Sequence, residues 1–209
     1  MRYPYIAYSR KIDIQPIFQN ITGEPLIVDM SDSSSLFDDI DMKDQREFQY
    51  RLESMMAGRF SWGLSSYLEN RAAVLADYPQ MVEEQRYYHL GLDIIVPLGT
   101  PLHAPLPAKV AHSGYEAGNG NYGGHVVLCH ESDHFETFYS LYGHLNREKL
   151  PAKGTRFESG ERFAFIGDFH ENGNWYYHTH LQILTQEAVD QGYISKGYCA
   201  AKDLANMDS

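Results

Sequence analysis

The feature that most restricts this chain is its punctuation between residues 87 and 186, where short runs rich in β-branched and apolar residues are repeatedly cut by Pro, Gly or Asn. After His89, DIIVPLGTPLHAPLPAKVAHSGY is followed by GHVVLCHE, ETFYSLYGHL, ERFAFIGD and YYHTHLQIL, with turn-rich pieces such as GNGNYGG and HENGN between them. Runs of that length, bounded in that way, read as strands, and their close succession predicts an antiparallel β domain. No internal repeat or low-complexity tract interrupts the pattern.

The preceding residues read differently. Residues 1–30 look irregular or form short strands, and MSDSSSLFDD (30–39) is a polar link of the kind that makes loops and caps helices. From about Asp41 to Met56 the chain lacks Gly and Pro and places Phe48, Leu52, Met55 and Met56 at near-helical spacing, which predicts a helix. SYLENRAAVLADY (66–78) predicts a second, shorter one. The expected fold is therefore mainly β, with a partly helical N-terminal extension over 1–85, a sheet domain over 86–186 and a tail over 187–209.

A net charge of −11 and a pI near 5.3 argue against nucleic acid or an anionic membrane as partner, since both demand clustered Lys and Arg. No stretch approaches the roughly 18 apolar residues of a membrane span. MRYPYIAYSRKIDIQPIF lacks the apolar core and cleavage site of an export signal. As written, the chain reads as soluble and cytoplasmic, or as periplasmic or extracellular if exported by another route. Cys129 and Cys199 are too few for a disulfide scaffold and lack the spacing of a cysteine zinc site.

HESDH (130–134) fits His-Glu-x-x-His, the helical zinc-and-base signature, which requires the two histidines one helical turn apart. Here it joins two β-rich runs, so it reads as a hairpin turn with partly exposed histidines. Three other pieces carry metal chemistry: HLGLD (89–93), YGHL (142–145) and HTH (178–180). On a strand His178 and His180 project from one face, about 6.6 Å apart along it. His89 and Asp93 would lie about 13 Å apart on a straight strand, so sharing a metal requires a bend, which Gly91 allows. Two histidines, one carboxylate and a water satisfy the count for a catalytic zinc. Spacing alone leaves open which member of HTH binds and which works beside the ion.

At these motifs the sequence resembles the lysostaphin-like zinc endopeptidases, whose bacterial members cleave cross-bridges or stem peptides of peptidoglycan. The resemblance covers roughly 86–186: HLGLDIIVPLGTPLHAPLPAKV, HVVLCHE, YGHL, the turn in GERFAFIG, and HTHLQI. It implies His89, Asp93 and His180 as zinc ligands, with His144 and His178 flanking a zinc-bound water that attacks the peptide bond. It assigns no metal role to His130. Zinc lowers the pKa of its water to about 7 and polarises the scissile carbonyl, and imidazole titrates near working pH. The resemblance leaves open which of His144 and His178 is the base.

Three departures stand out. Thr179 occupies the middle of the last motif, where it points away from the metal. GDFHENGNWYY replaces a Gly/Thr/Ser-rich turn with a longer loop whose Trp175, Tyr176 and Tyr177 either bind substrate or cover the core. With FSWGLSSYLENR (60–71), these features resemble a subgroup fused to kinase-like and aminotransferase-like enzymes. The extension either packs on the sheet or lies across the groove and offers the zinc an oxygen. The reading expected is a zinc metalloendopeptidase acting on a peptide, with peptidoglycan the first candidate. Competing readings are an intracellular amidase for a small peptide-like substrate and a non-catalytic zinc-binding module, against which the intact five-residue set argues.

Overall fold

The computed structural model describes residues 12–36, 38–41 and 44–207. Expectations for residues 1–11 and for Phe37, Met42, Lys43, Asp208 and Ser209 lie outside the described residues. The extension contains β1 (Leu26–Ile27), α1 (Gln45–Met56), β2 (Gly63–Ser65), α2 (Ala72–Leu75) and α3 (Pro79–Glu84). There follow β3 (Arg86–His89), β4 (Leu92–Ile95), β5 (Pro101–His103), β6 (Ala108–Glu116), β7 (Gly123–Ser132), β8 (Phe135–Leu145), β9 (Arg156–Phe157), β10 (Arg162–Phe165) and β11 (His178–Thr185). The chain continues with α4 (Gln186–Asp190) and β12 (Tyr198–Ala200).

Among the described residues, eight strands make one sheet in the order β1-β2-β4-β11-β8-β7-β6-β9, and β5 with β10 and β3 with β12 make two ribbons. Every pairing between strands among the described residues is antiparallel except that of β1 with β2, so the molecule is mainly β with an antiparallel-rich sheet, as the strand punctuation implies. Alternation sorts the hairpin strands between two cores: Val126 and Leu128 of β7 pack with Leu102, Tyr142 and Phe163, while Val127 packs with Leu141 and Leu184 on the opposite face.

HESDH lies at the end of the long β7–β8 hairpin, and residues 133–134 are its turn. His134 is exposed there, as expected of a turn. His130, expected to be partly exposed, is instead a fully buried strand residue: Nε2 meets Ser140 Oγ at 2.7 Å and the ring stacks on Phe138. Burial pushes its pKa down to about 4, so it is a neutral core histidine.

Helix α1 begins where the Asp44 carboxylate accepts the amide hydrogens of Arg46 and Glu47 at 3.0 and 3.2 Å, a cap of about 1 kcal/mol. It turns Phe48 and Leu52 inward. The helix expected over 66–78 shrinks to the four residues of α2, because Leu68 takes a left-handed φ of 59°, Asn70 bridges to Tyr88, and Arg71 is drawn into the interior. Pro79 then opens α3 at a position where its missing N–H costs nothing.

The extension and the sheet share one core. Val28, Met30, Phe48, Leu52, Val74 and Leu75 pack with Ile95, Trp175, Tyr176 and Tyr198. Phe48 meets Tyr176 at 4.8 Å between centroids, and Tyr78 stacks on Trp175 at 5.1 Å. The aromatic loop before β11 thus covers the core at Trp175 and Tyr176. Strand β2 also pairs with β4 from Gly63↔Ile95 to Ser65↔Asp93. Cys129 and Cys199 are free thiols.

Between β3 and β4 the chain bends, as the shared-metal reading requires, and Gly91 sits in the bend. A Cβ there would fall 2.6 Å from His180 Cε1 and 2.7 Å from the Leu181 carbonyl oxygen. Space for the His180 ring, more than a special φ, excludes a side chain.

Two outcomes follow for stability. A chain starting at residue 80 bares Ile95, Trp175, Tyr176 and Tyr198, four side chains whose burial is worth on the order of 1.5–3 kcal/mol each, against about 5–15 kcal/mol for a whole domain. It is expected to lose its cooperative thermal transition; a truncated chain melting like the parent, by circular dichroism, would show the extension to be dispensable. Gly91→Ala is expected to destabilise by about 1–3 kcal/mol, read as a lowered urea midpoint, and an unchanged midpoint would show that β11 gives way freely.

Candidate metal centre

Strand ends bring the motif residues together. His89 closes β3 and Asp93 lies on β4, which pairs with β11 so that His180 stands opposite Asp93. His178 precedes it on the same face, and His144 ends the β8 approach with a left-handed φ of 63°. Thr179 points away, its hydroxyl donating to the Gly143 carbonyl at 3.0 Å. All five polar side chains are at most 5% exposed.

Each histidine is oriented by its outer nitrogen. His89 Nδ1 lies 3.0 Å from the Ser66 carbonyl, His144 Nδ1 2.7 Å from that of Asn172, and His178 Nδ1 2.8 Å from that of Tyr176. His180 Nε2 lies 3.1 Å from Gln182 Oε1, which also receives the Tyr122 hydroxyl at 3.3 Å. A carbonyl oxygen only accepts, so each of these nitrogens carries the hydrogen and the inner one presents a bare lone pair.

Three such atoms converge: His89 Nε2 is 2.9 Å from His180 Nδ1 and 3.1 Å from Asp93 Oδ1, and His180 Nδ1 is 3.4 Å from Asp93 Oδ1. With the outer nitrogens protonated, nothing stands between these lone pairs, and a buried cation relieves their repulsion. Tetrahedral ligation at about 2.0–2.1 Å places donor atoms about 3.3 Å apart, close to the three separations observed. Two imidazoles and a carboxylate, each imidazole held from behind by an oxygen, are a donor set that fits zinc. Among the described residues this is the one group of three or more such side chains able to hold an ion.

The other carboxylate oxygen faces away. Asp93 Oδ2 accepts from Arg71 Nη1 at 2.7 Å, the Tyr176 hydroxyl at 3.0 Å and Ser65 Oγ at 3.2 Å. Burial alone would raise this carboxyl, yet His89 and Arg71 beside it hold it well below the usual carboxylate range. Burial, reinforced by the Arg71 charge, pushes His89 down to about 4.

His144 and His178 stand beside this cluster with ring centroids 4.2 Å apart. Burial brings His178 down to about 4, and burial with the neighbouring imidazoles holds His144 well below the ordinary histidine value. Both are therefore neutral, with the hydrogen on Nδ1 and the lone pair on Nε2. The adjoining cavity, about 70 Å³, is lined by Met30, Val74 and Met81 from the extension and by Ser195, Gly197 and Tyr198 from the C-terminal segment.

The structure gathers all five residues singled out from the motifs and leaves His130 and His134 elsewhere. Sequence reasoning missed Ser65, Arg71, Tyr176 and Gln182. The last two carried a signal, since 176, 178, 180 and 182 share the alternation of one strand face. Arg71 carried none, sitting in a stretch that reads as helix. The extension reaches the centre with a hydroxyl and a guanidinium, both directed at Asp93, where an oxygen offered to the zinc was the alternative expected.

The part of the chain that bears these motifs is similar to known proteins. The family model described as Peptidase family M23 matches residues 87–191. A stretch of 79 residues is 34% identical to the peptidoglycan DD-endopeptidase ShyC of Vibrio cholerae, covering 38% of this chain and 16% of that protein. Among solved structures, a zinc-containing peptidase from Vibrio cholerae is 25% identical over 47% of this chain and 27% of that one, with a TM-score of 0.39. The catalytic domain of lysostaphin from Staphylococcus simulans is 21% identical over 59% of this chain and 81% of that one, with a TM-score of 0.41. This chain thus spans a minor part of the Vibrio proteins. With half its length matched by the family model, and all the motif residues within that span, the chain belongs to peptidase family M23.

Proposed function

We propose that this chain is a zinc-dependent endopeptidase that hydrolyses an amide bond in the cross-links or stem peptides of peptidoglycan. The observation that carries the reading is the convergence of the bare lone pairs of His89, Asp93 and His180 beside two further neutral imidazoles. Family membership and the peptidoglycan activity in the name of the Vibrio cholerae relative support it. The likeness of FSWGLSSYLENR and of the aromatic loop to the subgroup fused to kinase-like and aminotransferase-like enzymes supports the further proposal that the chain is a relative of that subgroup.

His89 Nε2, Asp93 Oδ1 and His180 Nδ1 would hold the ion. Zinc there supplies Lewis acidity and brings the pKa of a coordinated water to about 7. The rest of the work falls to the chain. His144 and His178 each keep Nε2 unprotonated, because Nδ1–H is committed to a backbone carbonyl, so either accepts a proton at Nε2 from the attacking water. The same atom then returns it to the leaving amine. The two rings stand too close to be protonated together at low cost, so one proton shared by the pair is the working limit. The near-complete burial of both strengthens their interaction with charge that develops between them.

A second reading keeps the chemistry and changes the substrate to a small peptide-like molecule. The observation favouring it is the cavity itself, lined by both the extension and the C-terminal segment.

The deciding experiment digests purified peptidoglycan and, separately, soluble stem peptides, with zinc content recorded and Asp93→Ala as control. Release of peptides from the intact polymer by the parent and none by the zinc-poor variant is expected; cleavage of soluble peptides alone would favour the second reading. A zinc-loaded parent that cleaves neither would refute the peptidoglycan reading and leave a small non-murein substrate as the reading to test. His144→Ala and His178→Ala are each expected to lower turnover by about 10²–10⁴-fold while retaining zinc, and loss of zinc from either would reassign that histidine as a ligand.

A further inference from the structure

The two oxygens of Asp93 are divided without overlap. Oδ1 faces His89 Nε2 at 3.1 Å, His180 Nδ1 at 3.4 Å and His178 Nε2 at 3.6 Å. Oδ2 is surrounded by three donors, Arg71, Tyr176 and Ser65, at 2.7, 3.0 and 3.2 Å. Two of the three come from residues ahead of the span that the family model matches.

Arg71 is itself immobilised. Its side chain is 2% exposed, Nε and Nη2 donate to Glu69 Oε2 at 3.0 and 2.9 Å, and Nη2 donates to Ser65 Oγ at 2.7 Å. Nη1 also lies 3.4 Å from the Tyr198 hydroxyl, which comes from the C-terminal side of the same span. The fork is therefore aimed from a fixed frame, and a guanidinium so held does not swing to follow a carboxylate that turns. A carboxylate rotating to present both oxygens to a cation would have to give up a buried charge-assisted bond, one of the costlier bonds to break.

We propose that Arg71 is a positioning residue of the metal centre: with Ser65 and Tyr176 it claims Oδ2 and so fixes Asp93 as a one-oxygen ligand through Oδ1. The inference rests on the reading that His89, Asp93 and His180 hold zinc. It also redraws the catalytic unit, whose metal site is completed by residues 65–71 of the extension.

The test compares the parent with Arg71→Met in the full-length chain. Three properties are measured: thermal unfolding, zinc affinity by competition with a chromophoric chelator, and the visible spectrum of the cobalt(II)-substituted protein. Arg71→Met is expected to bind zinc about 10–100-fold more weakly, the usual loss when a ligand loses its supporting hydrogen bond. Its cobalt absorption should weaken as Asp93 turns to give both oxygens and raises the coordination number. Arg71→Lys, which keeps the charge but not the fork, is expected to fall between the two. If Arg71→Met does not fold, Tyr176→Phe and Ser65→Ala decide, each removing one Oδ2 donor without a charge. Folded variants with the parent's zinc affinity and cobalt spectrum would overturn the inference while leaving the zinc reading intact. A parent that binds no zinc would overturn both.

Discussion

Four imidazoles and a carboxylate share a space nearly closed to water, and they coexist because each imidazole hands its outer N–H to an oxygen that the fold holds still. Burial alone makes such a cluster costly, since every uncompensated polar atom carries its desolvation penalty. Committing the outer nitrogens satisfies half of each ring and fixes which atom faces inward. What remains is a set of lone pairs at 2.9–3.4 Å that only a cation or a proton can reconcile. The carbonyls responsible sit at Ser66, Asn172 and Tyr176, so loops, as much as the strands that bear the histidines, determine the chemistry.

Much of this was legible in the sequence, and for identifiable reasons. Strands announce themselves through apolar runs and turn residues, and the antiparallel sheet follows from them. The five residues that converge lay in short ordered motifs, and the bend between His89 and Asp93 followed from the distance on a straight strand together with the shared-metal reading. What was not legible came from tertiary contacts. The stretch 66–78 reads as helix, yet the ion pair with Asp93 and the bridge at Asn70 outweigh propensities worth only tenths of a kcal/mol per residue. His130 reads as turn and is core, because the hairpin extends two residues beyond it.

The boundary of the span matched by the family model and the boundary of the packed core do not coincide. The matched span begins at residue 87, but Phe48 packs on Tyr176, Gln49 Oε1 accepts the Tyr177 amide at 2.7 Å, and Tyr198 lies in the same core. Tyr176 holds both ends of the connection, touching Phe48 with its ring and Asp93 with its hydroxyl. Packing in the extension and geometry at the candidate metal centre are thus linked through one side chain.

The pairing of β2 with β4 has another effect, on what the molecule shows to its neighbours in solution. Without it β4, which carries Asp93, would border the sheet and leave a row of unpaired amides and carbonyls open to any other extended chain. The extension moves that border outward to β1, and β9 closes the opposite side, so among the described residues the eight-stranded sheet ends on both flanks in a strand of two residues. Two residues are too few to template the addition of a foreign strand, and the strand that carries the carboxylate lies safely in the interior of the sheet.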